Sequence, residues 1–283
     1  MPLLNFKRKP NEMAENSAEL EQFLQGYSIE VMPRTAEKIK RFQDILPKRT
    51  RVYIAHIEGT PIEDMVKTAS RLVAEGYPVM PHFPARLIRD KTTLENWIDM
   101  YQSEAGVSQA LLLAGSIKAP QGIFDSSMQL LETGLFDAKG FDHLHVAGHP
   151  EGNKDIDPDG SRKNVVASLS WKQQFSERTD AKMALTTQFT FDADTIIDWA
   201  NGLKDCNIDI PVHIGIAGPA KLQTLIKFAI ACGVGPSLNV LHKRAMDITK
   251  LLLPYEPTDV LNALAAHKAQ NPDFNVDQVH FFP

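Results

Sequence analysis

Cysteine is scarce in this sequence, which has only Cys206 and Cys232 among its 283 residues. Two cysteines cannot build a disulfide framework, and their separation does not match a metal site. We interpret both as reduced thiols near the ends of two helices, because disulfides are rare in reducing compartments. The sequence therefore predicts a cytoplasmic protein.

Long apolar runs and clusters of basic residues are also lacking. No run approaches the roughly 20 residues that span a bilayer, and residues 1–9 have no apolar segment of the kind found in signal peptides. The 30 Lys and Arg residues are dispersed and the net charge is -5, which argues against a nucleic-acid surface. The predicted partners are small molecules, with no nucleic acid and no membrane, and homo-oligomer formation stays open.

A G-x-G-x-x-G turn behind a strand is absent, so no Rossmann nucleotide site is predicted. The sequence does contain strand-like and helix-like patterns in regular alternation. This alternation predicts a parallel α/β sheet, and eight strands predict closure into a (β/α)8 TIM barrel. The predicted strands are residues 27–32, 51–56, 77–82, 109–114, 143–148, 182–188, 210–216 and 277–282. The predicted helices between them are residues 35–46, 61–75, 92–104, 125–134, 163–177, 192–204, 219–232 and 237–270, the last divided at Pro254 and Pro257.

One barrel domain is predicted over residues 27–283, preceded by an N-terminal extension over residues 1–26. Within the extension, residues 12–25 predict a short polar helix that covers the bottom of the barrel. No helix is predicted after the eighth strand. The N-terminal helix is therefore a candidate to cover the part of the barrel that a helix after the eighth strand usually covers.

Two polar residues stand out at the carboxyl ends of predicted strands, where barrels of this type bind their ligands. Glu30 lies between Ile29 and Val31, where a carboxylate is costly to bury without a partner. Gln188 ends the sixth strand just before a helix that Asp192 caps. From residue type alone, Glu30 could equally form a structural salt bridge and Gln188 could be a surface amide.

The stretch around Gln188 resembles the TQFFFD-like signature of the methylenetetrahydrofolate reductase family. Other pieces agree with that family in order, and the resemblance covers most of the chain from about Tyr27 onward. They are SIEVMPRT at 28–35, PH at 81–82, LLAG at 112–115, VAGHPEG at 146–152, TQFTFD at 187–192 and VHF at 279–281. The resemblance implies NAD(P)H-dependent reduction of 5,10-methylenetetrahydrofolate to 5-methyltetrahydrofolate, or the reverse oxidation, in one-carbon metabolism.

The resemblance also implies roles for single residues. Glu30 matches the acid that protonates the folate, and an apolar site would raise its pKa and keep it protonated near neutral pH. The residues implied in folate binding are Gln188, Phe189 and Leu222. The residues implied in cofactor binding are His82, Gly115, Ser116, His149, Asn153 and Lys172, and no metal site is implied.

A nicotinamide, NADH or NADPH, is expected as the hydride source, whereas FAD is uncertain. Ala114 and Ser116 stand where the family usually has an arginine and an acid, and His149 and Asn153 replace a tyrosine and a histidine. Lys172 is the nearest candidate for a basic pair in the helix that follows. We therefore expect FAD to bind weakly or not at all, with direct hydride transfer. Glycines at 215–220 and 233–238 are candidates for close approach of a flat ligand or the cofactor.

Two alternatives stay open at this point. The altered flavin contacts would also suit a barrel that binds folate without turning it over. The H-x-H pattern of His143 and His145, with His149 nearby, is also how metal-dependent barrel hydrolases begin their ligand set, but such sites need further ligands on later strands.

Overall fold

The computed structural model describes residues 10–232, 241 and 254–283. Its eight strands are all parallel and form a closed barrel in the order β1 to β8. The predicted TIM barrel is therefore confirmed, with strand bounds close to those expected. The strands are β1 Ser28–Val31, β2 Arg51–Ile54, β3 Val79–Pro84, β4 Gln109–Leu113, β5 His143–Gly148, β6 Lys182–Phe189, β7 Val212–Ala217 and β8 Val276–Phe282.

Within the described residues, one helix precedes β1 and the others occupy the connections between the strands. They are α1 Pro10–Phe23, α2 Pro33–Ala36, α3 Ile62–Ala74, α4 Lys91–Ala105, α5 Ser127–Glu132, α6 Leu135–Ala138, α7 Lys163–Ser176, α8 Ala193–Asp205, α9 Leu222–Cys232 and α10 Thr258–Gln270. Pro257 precedes α10 as expected. The first half of the predicted helical segment 237–270 and the glycines at 233–238 lie outside the described residues, apart from residue 241.

The predicted helix over residues 35–46 is wrong. The chain makes the single turn α2 and then a short 3-10 helix at Phe42–Asp44. The guanidinium of Arg71, on α3, donates to the carbonyl oxygens of Ala36 at 2.9 Å and of Ile39 at 2.5 Å. Glu75 accepts from the Phe42 amide at 2.7 Å. Because α3 supplies these partners, the segment does not need the hydrogen bonds of a continuous helix.

The N-terminal helix α1 packs against α10. Phe23, at its end, is buried in the main core and lies beside Val276, which begins β8. The side chain of Gln278 also donates to the carbonyl oxygen of Gly26. The helix thus lies at the amino ends of the strands, where the sequence predicted a cover for the barrel.

The two faces of the sheet differ in character. Leu144 and Val146 of β5 are fully buried in the apolar core between the sheet and the helices. Their neighbour His145 instead contacts Tyr53 of β2 and His213 of β7, strands that are not adjacent to β5. Such contacts are made only across the barrel interior. Barrel interiors are usually filled by branched apolar side chains, so this polar interior is a marked departure.

Candidate functional site

A hydrogen-bonded pair occupies the centre of the barrel interior. The hydroxyl of Tyr53 and Nδ1 of His145 are 2.7 Å apart, and the Thr186 hydroxyl lies 3.4 Å from the same nitrogen. Burial raises the pKa of Tyr53 to about 12. Burial, followed by the charges of His213 and Arg51, lowers the pKa of His145 well below its usual range. Both side chains are therefore neutral at pH 7, which suits their position inside the barrel.

His213 lies against this pair. Its ring meets that of His145 edge to face, with 4.7 Å between the centroids. Burial, reinforced by the charge of Arg51, lowers the pKa of His213 to about 3. Its Nδ1 is buried without a hydrogen-bond partner among the residues that the structure describes.

Glu30 lies at the carboxyl end of β1, between two imidazoles. Its Oε2 is 3.2 Å from Nε2 of His82 on β3 and 3.8 Å from Nε2 of His280 on β8. The Glu30 side chain is 20% exposed, whereas His280 is fully buried. Ser28, two residues earlier on β1, has its hydroxyl 2.9 Å from Nδ1 of His280. A carboxylate, two imidazoles and a hydroxyl are thus assembled from three strands.

The expectation that Glu30 has a raised pKa is wrong. Burial alone would raise the pKa, but the charge of His82 and the adjacent imidazole of His280 outweigh burial and lower the pKa of Glu30 to about 2. The site is lined by histidines instead of being apolar. Glu30 is therefore ionised in the free protein, and any proton that it gives to a ligand must first reach it from a neighbouring group.

The three residues expected to bind folate fall into two environments. Gln188 is exposed at the end of β6, next to an irregularity in the pairing with β7. Phe189 and Leu222 are buried together in an apolar cluster at the same end of the barrel. Of the three, only Gln188 has an exposed side chain at the carboxyl end of the barrel, whereas Phe189 and Leu222 pack beneath that surface. The buried members of this cluster are Phe189, Phe191, Ala217, Leu222, Leu225, Ala229, Leu241 and Tyr255.

The glycines at 215–220 serve the packing of the strands. A Cβ atom on Gly215 would lie 2.4 Å from the carbonyl oxygen of Thr187 and 2.6 Å from that of Gln188. The Gly215 amide also donates to the Thr187 hydroxyl at 2.9 Å. Gly218 similarly approaches the backbone of Phe282. At Gly215, the group that approaches the backbone closely is therefore β6, and not a ligand as the sequence predicted.

The expected cofactor residues of the loop after β4 lie at the carboxyl end of the barrel. Gly115 has φ +100°, and a Cβ there would lie 3.2 Å from Cβ of Pro84. A side chain would therefore be strained as well as crowded at this position. Ser116, the next residue, is exposed.

The expected cofactor residues of the loop after β5 have local partners. Asn153 accepts hydrogen bonds from the amides of Asp155 at 2.8 Å and Ile156 at 3.4 Å, so its side chain shapes the loop. Burial, and then the charge of Lys172, lower the pKa of His149 to about 3.

Two buried cations lie beneath these loops, and both are bound to protein oxygens. Lys172 is 3% exposed and donates from Nζ to the Ala147 carbonyl at 2.8 Å. Burial lowers its pKa to about 8. Arg86 donates to Asp125 and Asp155, each at 2.7 Å, and so connects the loops after β4 and β5. The basic phosphate contact expected of Lys172 is therefore not presented, and these residues do not fit the pyrophosphate of FAD.

The histidines of the H-x-H pattern also have other partners. His143 Nδ1 lies 2.8 Å from Asp142, and His145 is bound to Tyr53. Across residues 10–232, 241 and 254–283, no group of three or more His, Cys, Asp or Glu side chains is placed to hold a metal ion. In the same ranges, no helix combines the length and apolar character that a membrane span requires.

Sequence reasoning missed much of the interior group, namely Ser28, Tyr53, His213 and His280 as parts of a site. A signal was available, since polar residues alternate with apolar ones in the predicted strands. The strands RVYI, HLHV and VHIG each place a tyrosine or histidine on the face opposite their branched residues. Applied to every strand, that alternation would have indicated a polar interior.

No model of a known protein family matches the sequence. The catalytic domain of a mannanase from Streptomyces sp. SirexAA-E is 16% identical over 75% of this chain and 73% of that chain, with a TM-score of 0.43. A candidate sugar phosphate isomerase or epimerase from Anabaena variabilis ATCC 29413 is 10% identical over 91% of this chain and 74% of that chain, with a TM-score of 0.29. Similarity this low carries no argument about function.

Proposed function

We propose that this barrel is a cytoplasmic oxidoreductase that converts 5,10-methylenetetrahydrofolate to 5-methyltetrahydrofolate with NADH or NADPH, or runs the reverse oxidation. The observation that carries the proposal is the position of Glu30. It is an ionisable acid at the carboxyl end of β1, with its Oε2 3.2 Å from Nε2 of His82. Because the strand of Glu30 resembles the reductase family, we assign Glu30 to the protonation of the folate.

The reaction needs one proton and one hydride. The proton goes to the folate nitrogen that leaves the methylene bridge, and the nicotinamide, when bound, supplies a hydride for the methylene carbon. Side chains cannot supply a hydride, so the task of this chain is to bind, orient and protonate. Glu30 is the residue assigned to protonation.

Glu30 is charged in the free protein, so it must take up a proton before it can act as an acid. A flat substrate that covers Glu30 excludes water from the exposed fifth of its side chain, which makes the carboxylate less favourable. The neutral carboxyl group then becomes competitive, and it can act as the acid.

The walls of the mouth suit a flat heterocycle. Phe282, partly exposed, lies 4.8 Å from the His280 ring and 5.6 Å from the Phe189 ring, measured between centroids. Gln188 offers both a donor and an acceptor at the end of β6. An apolar wall with a few polar groups is the usual composition of a small-molecule site.

The test combines an absorption spectrum with a turnover assay on the purified protein. We expect no flavin absorption, oxidation of NADH or NADPH that depends on methylenetetrahydrofolate, and 5-methyltetrahydrofolate as the product in mass spectrometry. Binding of 5-methyltetrahydrofolate without nicotinamide turnover in either direction would contradict the reductase and support a folate-binding barrel. Stoichiometric FAD would contradict only the direct hydride transfer.

A further inference from the structure

Two buried polar atoms towards the amino end of the barrel have no hydrogen-bond partner among the described residues. They are Nδ1 of His213 on β7 and the side-chain oxygen of Gln278 on β8. His213 and Gln278 are paired in the register of the two strands, so their side chains share a face. Unpaired polar atoms are rare in protein interiors because they are costly to bury. The two atoms together indicate a polar ligand.

Arg51 brings a positive charge to the same end of the barrel. It begins β2, and its Nε donates to Oε1 of Gln109, the first residue of β4, at 3.0 Å. No carboxylate forms an ion pair with Arg51 within the part of the chain that the structure describes. A guanidinium stays charged near neutral pH, and a half-buried one is stabilised by a counter-charge. The ligand that fits this charge is an anion.

One layer of the barrel interior contains Arg51 and Gln278. One level nearer the carboxyl ends, Tyr53 of β2 packs on His280 of β8, with 4.3 Å between ring centroids. Arg51 and Gln278 lie two residues earlier on the same strands, and residues two apart on a strand share a face. Barrel interiors are built from layers of four residues that alternate strands supply. The amino-end layer consists of Arg51, Gln109, Ala184 and Gln278.

A small residue and a partly exposed one make this layer accessible. Ala184 takes up less space than the branched apolar residues that usually fill a barrel. His143 has a 22% exposed side chain, and its ring lies 6.2 Å from that of His145. Lys182 is exposed and pairs with His143 in register, so it adds positive charge at this opening. The carboxylate nearby, Asp142, is bound to His143 Nδ1 at 2.8 Å.

We propose that the amino-end layer binds a phosphate group, at the end of the barrel opposite to Glu30. Phosphate is an anion that keeps one proton near neutral pH, so it both accepts and donates hydrogen bonds. Its oxygens accept from Arg51 and from Nδ1 of His213, and its hydroxyl group donates to the side-chain oxygen of Gln278. Sulfate has no proton to donate and satisfies only the first two groups. The site does not depend on the proposed reductase function.

The state of His213 agrees with its role as a donor. Burial, and then the charge of Arg51, lower the pKa of His213 to about 3. The imidazole is therefore neutral at pH 7 and has one N–H group to donate. Its ring is fixed edge to face against His145, with 4.7 Å between centroids.

The first experiment titrates the full chain, dialysed free of phosphate, with inorganic phosphate in a calorimeter. We expect one saturable site, and about tenfold weaker binding of sulfate at matched ionic strength, because sulfate leaves Gln278 unpaired. In NMR of isotope-labelled histidine, phosphate should shift the His213 signal, which is assigned by its loss in His213→Asn. Absence of saturable binding, an unchanged His213 signal or equal affinity for sulfate would overturn the proposal.

The second experiment compares variants in the same titration. Arg51→Gln should weaken phosphate binding by about tenfold or more, because a charge-assisted hydrogen bond is lost. Arg49→Gln is the matched control, since it removes an exposed arginine at the same end of the barrel, and it should bind like the parent. Gln278→Met should keep the affinity for sulfate and lose the preference for phosphate.

Equal weakening in Arg49→Gln and Arg51→Gln would reduce the effect to general charge and overturn the site. Circular dichroism checks the fold of each variant. If a variant does not fold, the titration and NMR of the parent still decide the proposal.

Glycerol phosphate in the same titration distinguishes the two sources of a phosphate group. Affinity equal to or above that of inorganic phosphate would support a phosphate ester whose organic part extends through the opening beside His143. Weaker binding than that of inorganic phosphate would support free phosphate as the ligand. Neither measurement requires turnover of folate, so the site can be established even if the reductase proposal fails.

Discussion

Gly215 and Thr187 approach each other so closely that no side chain fits between their strands. A Cβ on Gly215 would lie 2.4 Å from the Thr187 carbonyl oxygen, inside van der Waals contact. The Thr187 hydroxyl accepts from the Gly215 amide at 2.9 Å and holds the two strands in this position. The end of β6 that carries Gln188 can therefore take its position because Gly215 of β7 has no side chain.

Gly215→Ala should destabilise the protein by about 1–3 kcal/mol or more, because the strands must separate to admit the methyl group. Gly202→Ala is the matched control. Gly202 lies in α8, and a methyl group added there would have nothing within 4 Å, so alanine should stabilise by about 0.5–1 kcal/mol. Urea unfolding of the three proteins checks both signs. Equal stability of Gly215→Ala and the parent would contradict the packing argument.

Glu30→Gln should retain the fold and folate binding but lower turnover by about 10²- to 10⁴-fold, because the amide cannot donate the required proton. The control is Glu58→Gln, in the exposed loop after β2, which should turn over at the parent rate. Steady-state rates at saturating substrate give the comparison. Parent-like turnover in Glu30→Gln would make Glu30 a structural residue.

Gln188→Ala should weaken folate binding by roughly 1–3 kcal/mol, because the polar edge of a covered pterin would lose its partner. Calorimetry with 5-methyltetrahydrofolate measures the affinity. Gln174→Ala, which removes an exposed amide from α7, should bind like the parent. If both variants bind alike, Gln188 is not part of the site.

Acid should destabilise the protein through His213. Its pKa is lowered to about 3, so unfolding exposes a histidine that takes up a proton below its usual value of 6.5. Stability from this group is complete above about pH 6.5 and is lost as the pH falls towards 3. Between pH 7 and pH 5 the loss should be about 2 kcal/mol.

His213→Asn should remove that part of the pH dependence, whatever its effect on stability at pH 7. The groups that face His213 are Arg51, His143, His145 and His280. Met80→Leu, a change of similar volume inside the barrel, should keep the dependence of the parent. Unfolding free energies at the two pH values test this, and an unchanged slope in His213→Asn would refute it.

Tyr53→Phe should cost about 1–3 kcal/mol of stability, since His145 would lose its hydrogen bond at 2.7 Å. Tyr101→Phe gives the opposite expectation. The Tyr101 hydroxyl is buried with no hydrogen-bond partner among the described residues, so its removal should be neutral or stabilising. Thermal unfolding of the pair measures the difference. A Tyr101→Phe that is less stable than Tyr53→Phe would contradict the assignment of partners.

The barrel could be predicted because each strand carries its own alternating pattern within a few residues. The predicted helix at 35–46 does not form because Arg71, about one connection later in the chain, binds the carbonyl oxygens of this segment. No pattern within residues 35–46 indicates that contact. Glu30 illustrates why properties that depend on distant residues could not be predicted from the sequence. Its position at a strand end was predictable, but its pKa depends on the charge of His82 from β3 and on the imidazole of His280. His280 is close only because β8 closes the barrel against β1.

Arg86 makes the loops after β4 and β5 parts of a single unit. Its guanidinium is neutralised jointly by Asp125 from one loop and Asp155 from the other. Barrels of this fold acquire new chemistry mainly by exchange of such loops. A chimera that replaces only one of these two loops would leave a buried cation with half of its counter-charge. Loop grafting on this scaffold should therefore move both loops together, with Arg86 retained between them.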